Sequence, residues 1–207
     1  MKKTLFTILA AVLLLIPSAA SGQTAAYEDM GSWLSAQAMT SWGKAYGTVR
    51  AELRTNDKMS SRECWFALVA GGYKFTDWFS ADLGYEMWNI NQAINHRFVL
   101  TTSETLRQGN LSATLREKYE YTVTPAGTTY SNLRVRLKTQ YSIPDSCFKP
   151  YIAGEVFAWD GWKRSLNYVG TEISIGSRST LDLFYLYHVQ KGGPTVHTLG
   201  VGYIISL

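Results

Sequence analysis

Residues 111–123 read Leu-Ser-Ala-Thr-Leu-Arg-Glu-Lys-Tyr-Glu-Tyr-Thr-Val. Leu111, Ala113, Leu115, Tyr119, Tyr121 and Val123 alternate with Ser112, Thr114, Arg116, Lys118, Glu120 and Thr122. Neighbouring side chains of a strand point to opposite faces, so this stretch writes one apolar and one polar face. A helix would scatter the two classes around its axis. The pattern recurs on both sides. Phe79, Ala81, Leu83, Tyr85 and Met87 are interleaved with Ser80, Asp82, Gly84 and Glu86. Leu133, Val135, Leu137 and Tyr141 are interleaved with Asn132, Arg134, Arg136, Lys138 and Gln140.

Extended to the whole chain, this reading gives about eleven segments of about ten residues. They lie near 31–40, 46–55, 63–74, 78–88, 94–105, 111–123, 130–142, 149–159, 165–175, 180–190 and 196–207. Tight turn signals at Thr76-Asp77, Gln108-Gly109-Asn110, Pro144-Asp145 and Gly176-Ser177 fall at alternate junctions. The other junctions, among them Asn56–Ser61 and Asn89–Ala93, read as longer and more polar. That asymmetry is the one expected of an outer-membrane barrel, with short turns on one side and longer loops on the other. The expected fold is therefore all-β, an antiparallel up-and-down transmembrane β-barrel of 10–12 strands. An even count needs either a twelfth strand from Gln23–Met30 or closure of ten strands with 31–40 as an accessory.

The chain has 207 residues and opens MKKTLFTILAAVLLLIPSAASGQ. Two lysines, an apolar run from Leu5 to Ile16, Pro17 and then small residues make residues 1–22 a secretory signal peptide. The expected organisation is 1–22 as leader and 23–207 as a single barrel domain. The formal charge is +4, and Lys2 and Lys3 belong to the leader, so the balance gives no case for nucleic acid. Mean hydropathy is −0.10, and after the leader no apolar run is long enough for a membrane helix.

The polar faces are not an ordinary solvent-facing surface. They carry Arg50, Glu52, Arg54, Asp82, Glu86, Arg97, Arg116, Glu120, Arg134, Arg136 and Glu155. In a barrel of this size such residues point into a lumen largely filled by side chains, where opposite charges pair across strands. The apolar faces carry rings near strand ends (Trp65, Tyr73, Phe79, Tyr119, Tyr141, Tyr185 and Tyr203), as suits the two membrane interfaces. The final segment ends Gly202-Tyr203-Ile-Ile205-Ser-Leu207. Gly202, Tyr203, Ile205 and Leu207 fit the C-terminal signal read by the barrel-assembly machinery, with Leu in place of the usual Phe.

Several motifs in order resemble the domain of unknown function 2490 family. They are Asp29-Met-Gly-Ser-Trp33, Arg50-Ala-Glu-Leu-Arg54, Gly72-Tyr-Lys-Phe75, His96-Arg97-Phe98, Leu133-Arg-Val-Arg-Leu137, Pro150-Tyr151 with Glu155, Asp182-Leu-Phe-Tyr185 and Gly200-Val-Gly-Tyr203. The resemblance implies an outer-membrane β-barrel of Gram-negative bacteria. The family has no established activity, so no functional residue transfers.

Catalytic chemistry finds little support. His96 invites comparison with barrel-surface lipid hydrolases, but no serine with an orienting acid or amide accompanies it. Cys64 and Cys147 fall at opposite rims, beyond disulfide reach. No cofactor and no metal site is expected. The expectation is a non-enzymatic structural or interaction scaffold in the outer membrane, in contact with lipid. A small channel or a barrel binding a small polar solute is the alternative, and a lipid-modifying hydrolase is a third.

Overall fold

The computed structural model describes residues 28–158, 162–190 and 195–207. The expected leader, residues 1–22, lies outside these. Eleven strands close one barrel: β1 (Glu28–Trp42), β2 (Ala45–Asn56), β3 (Ser61–Lys74), β4 (Phe79–Ile90), β5 (Ala93–Gln108), β6 (Leu111–Val123), β7 (Thr129–Tyr141), β8 (Phe148–Ala158), β9 (Trp162–Ile175), β10 (Ser179–Gln190) and β11 (Thr195–Ser206). Each pairs antiparallel with its sequence neighbour. The alternating segments of the sequence are these strands.

Closure differs from both even-numbered solutions. β1 pairs with β2 on one edge and with β11 on the other, from Glu28 opposite Thr195 to Met39 opposite Ser206, and this last ladder is parallel. The segment at 31–40 is thus a barrel stave rather than an accessory; of the expected twelfth strand from Gln23–Met30, residues 28–30 belong to β1 and the rest lies outside the described residues. An odd number of alternating strands brings the first and last side by side in the same direction. A parallel ladder then satisfies both edges, with slanted hydrogen bonds in place of perpendicular ones.

The expected loop asymmetry is absent. At the mouth where Leu207 ends, called here the C-terminal mouth, connections run from Gly43-Lys44 and Gly109-Asn110 up to residues 142–147. At the N-terminal mouth, near Glu28, β4 and β5 are joined by Asn91-Gln92 alone, both with positive φ (50° and 67°). Two left-handed residues in succession make the mirror-image turn that matches the twist of the flanking strands, so polar composition did not mean length. Asp57, Lys58 and Met59 are also left-handed. The Asp29 carboxylate accepts the backbone N–H of Asp57 (2.9 Å) and of Lys58 (3.0 Å), and so holds that turn to β1.

Outside, nearly every strand exposes a large apolar residue: Leu34, Val49, Val69, Leu83 (68% exposed), Ile152 and Val169 are examples. Trp42, Tyr73, Phe75, Trp78, Tyr141 and Phe148 ring the C-terminal mouth. Inside lies the core, and it is of mixed chemistry. One cluster joins Tyr151, Ala153, Phe157, Leu166, Tyr168 and Leu186 with Trp33 and Phe184 against it. A second joins Cys64, Phe66 and Trp88. Gly200 makes room for the first: a Cβ there would stand 2.0 Å from the Phe184 ring.

Candidate functional site

The lumen is positioned by strand register. Glu52 and Arg54 of β2 lie opposite Phe66 and Cys64 of β3, and Glu86 of β4 lies opposite Arg97 of β5. On β6 and β7, Arg116 faces Arg136, Lys118 faces Arg134 and Glu120 faces Asn132. On β7 and β8, Arg136 faces Glu155. Alternation sends all of these inward together.

Three carboxylates anchor the network, each about 1% exposed: Glu86, Glu120 and Glu155. Glu86 accepts from Lys118 Nζ (2.5 Å), Arg97 Nη1 (3.4 Å) and Trp88 Nε1 (2.6 Å). Glu120 lies 2.8 Å from Arg134 Nη1, 3.3 Å from Lys118 and 3.6 Å from Arg97. Glu155 Oε1 accepts from Arg134 Nε (2.7 Å) and Arg116 Nη2 (3.4 Å), while Oε2 accepts from the Tyr168 hydroxyl (3.3 Å). Every carboxylate thus meets at least two cations. Burial of such charges is tolerable only with this density of partners. On the other side of the lumen Glu52 binds Arg54 (2.6 Å) and Arg50.

Two expected members behave differently. Asp82 accepts from the Tyr46 hydroxyl (3.2 Å), and no arginine partners it among the described residues. Arg136 has no carboxylate within ion-pair distance among the described residues, despite facing Glu155 in register; its guanidinium stands over the Tyr168 ring at 4.6 Å. Lys138–Glu172, and Asp182 accepting from Tyr151 (2.8 Å), extend the polar face toward the C-terminal mouth.

Aromatic rings complete the lumen. Arg54 stands 3.8 Å over Trp33 and 5.0 Å over Trp88; Arg97 is 4.3 Å over Trp88; Arg134 and Arg164 flank Phe157 at 4.6 and 3.7 Å. The described residues hold nine such contacts where a chain of this length averages about three. The sequence reading assigned charge to the lumen and rings to the outside, and so missed these partners. A signal was present in Glu86-x-Trp88, because a spacing of two puts carboxylate and indole on one face.

Two cavities flank the network. A cavity of about 570 Å³ opens toward the C-terminal mouth, and another of about 530 Å³ toward the N-terminal mouth. Both touch Arg54 and Trp88, in the layer of ion pairs and rings between them.

The remaining candidates sit elsewhere. His96 and His197 face outward, each joined through Nδ1 to a tyrosine hydroxyl, Tyr85 and Tyr185 respectively. His188 turns inward beside a small third cavity. Cys64 is buried inside near the N-terminal mouth, Cys147 is exposed at the C-terminal mouth, and both are free thiols. No cluster of three potential metal ligands occurs among the described residues. Tyr203 of β11 and Leu207 just beyond it are exposed, and the Leu207 N–H donates to the Met39 carbonyl (2.8 Å) across the seam. Gly202 faces inward beside Ser35, and Ile205 lies opposite Ala38.

A closed eleven-stranded β-barrel with charge and aromatic rings inside and apolar residues outside is the class these features define. The family model described as protein of unknown function (DUF2490) matches residues 30–197, and the chain belongs to that family. No curated protein and no solved structure matches it.

Proposed function

We propose that the protein is an outer-membrane β-barrel of a Gram-negative bacterium whose lumen is blocked at mid-height, a scaffold or interaction protein rather than an open pore or an enzyme. The observation that carries this is the exterior. Aliphatic side chains stand exposed on strand after strand around a barrel whose ion-pair network lies inside; Glu117, in mid-strand on the outer face beside Thr102, is an exception. Water would penalise so extensive an apolar exterior, whereas hydrocarbon accepts it. The aromatic ring at the C-terminal mouth suits one bilayer interface. The sequence of residues 1–22 supports export, and that of residues 202–207 supports handling by the barrel-assembly machinery.

Fractionation tests the location. The protein should sediment with outer membranes and run faster on gels unheated than boiled; recovery in the soluble periplasmic fraction refutes it. Planar bilayers test the blocked lumen: the purified barrel should show no large steady conductance. A catalytic alternative through His96 predicts phospholipid or lipid A hydrolysis abolished by His96→Ala; the expectation is no turnover to abolish. A second reading, a barrel that binds a small polar solute, is favoured by the two cavities.

A further inference from the structure

The facing pair of strands β6 and β7 carries an arrangement that the closed scaffold does not need. Arg116 lies directly opposite Arg136, and on the next rung inward Lys118 lies directly opposite Arg134. Like charges in that relation repel and destabilise a sheet unless something lies between them. For the Lys118–Arg134 rung the protein supplies that something, since Glu86, Glu120 and Glu155 all reach it. For the Arg116–Arg136 rung it supplies little. Glu155 is saturated by Arg134 and Tyr168, and reaches Arg116 only at 3.4 Å. The Nε atoms of Arg116 and Arg136 are buried without a protein partner among the described residues.

This rung faces the 570 Å³ cavity, open to the C-terminal mouth, and so does Arg50, whose Nε is likewise unpartnered. Seven basic and five acidic side chains line that cavity. The five acids are already engaged. Glu52, Glu86 and Glu155 hold the cations named above, and Asp82 and Asp182 accept from the phenols of Tyr46 and Tyr151. Positive charge is left over at the rung where Arg116 and Arg136 are register partners and both Nε atoms lack a partner among the described residues.

We propose that this cavity binds a small, multiply charged oxyanion, an organic phosphate or polycarboxylate, held between Arg116 and Arg136. Paired guanidinium forks match carboxylate and phosphate oxygens two at a time. The volume is that of a metabolite-sized site, and the rings of Tyr46, Tyr151 and Phe184 give its walls apolar surface for the body of an organic anion. The proposal deepens the solute-binding reading and depends on the closed lumen, not on where the barrel resides.

The test uses full-length folded protein in maltoside at low salt, with inorganic pyrophosphate and citrate as separate probes. Binding is followed by tryptophan fluorescence, which Trp33 and Trp88 in the cavity wall should report, and by calorimetry. Wild type should saturate with at least one probe below about 10 mM, and Arg116→Gln or Arg136→Gln should weaken it about tenfold. Which probe binds separates phosphate from carboxylate recognition. Arg164→Gln, in the cavity at the opposite mouth, should change nothing. Arg136→Lys, which keeps the charge and loses the fork, covers the case in which the glutamine variants fail to regain the fast unheated gel mobility; it too should bind more weakly. The saturating probe should also raise the wild-type urea midpoint. Absence of saturable binding by both probes to folded wild type, or unchanged affinity in a folded Arg136 variant, or equal loss in Arg164→Gln, overturns the proposal. None of these results bears on membrane residence or on conductance, which are read separately.

Discussion

Glu155→Gln is the substitution that most directly probes how the lumen is held together. It keeps the shape and removes the charge, leaving one amide oxygen where two carboxylate oxygens served Arg134, Arg116 and Tyr168. Breaking a fully buried ion pair costs roughly 3–5 kcal/mol, because the orphaned charge stays desolvated. Two features reduce that here. Arg134 retains Glu120 at 2.8 Å, and the Arg116 side chain is 29% exposed toward a cavity that admits water. The expected loss is therefore about 2–3 kcal/mol. Glu120→Gln is its control. Lys118 and Arg97 would still share Glu86, at 2.5 and 3.4 Å, and Arg134 would keep Glu155 at 2.7 Å. No cation is orphaned, so about 1–2 kcal/mol is expected. Reversible urea unfolding in lipid vesicles, read by tryptophan emission and by gel mobility, gives both values under one protocol. The ordering is what the geometry dictates. If Glu120→Gln cost more than Glu155→Gln, or if both lay within about 0.5 kcal/mol of wild type, the role given to Glu155 as the one carboxylate partner of Arg116 among the described residues would be wrong.

Other outcomes follow from the same structure. Leu100→Arg, in mid-strand on the outward face, should cost about 2–4 kcal/mol in a bilayer, whereas in a water-surrounded barrel an exposed Leu→Arg change stays within about 0.5 kcal/mol; refolding yield and midpoint in vesicles decide. Trp88→Ala removes the stack on Phe66 (4.6 Å between centroids), two guanidinium contacts and the N–H to Glu86, and should cost about 3–5 kcal/mol in the same unfolding assay. A maleimide should label Cys147 in the folded protein and reach Cys64 only after unfolding, with no disulfide on non-reducing gels.

The charged half of the lumen was legible because Arg116, Lys118, Glu120, Arg134 and Arg136 alternate with neighbours that are apolar except for Glu117, and such alternation has one consistent assignment of faces. β3 offers no such contrast. Cys64, Phe66 and Leu68 share one face with Trp65, Ala67 and Val69 on the other, and only pairing with Arg54, Glu52 and Arg50 places the first set inside. β8 is similar, with Tyr151 and Phe157 buried and Ile152 exposed. Which cation meets which carboxylate was not legible either. Arg136 faces Glu155 in register yet lies over Tyr168, because Glu155 is already occupied by Arg134. Closure was hidden for a different reason. The partner of β1 across the seam lies at the far end of the chain, and no local pattern reports the direction in which two distant strands will meet.

That seam sets the polarity of the whole molecule. With an even number of staves, a barrel returns its chain to the side from which it set out. Here Glu28 stands level with Thr195, while Leu207 stands past Met39 at the other rim. The described strands run from rim to rim an odd number of times, so Glu28 and Leu207 stand at opposite rims. If the wall is a bilayer, an epitope attached ahead of Glu28 and one attached after Leu207 report different sides. Protease added to intact cells should then remove one tag and spare the other, a result that no even-stranded closure of this chain can give.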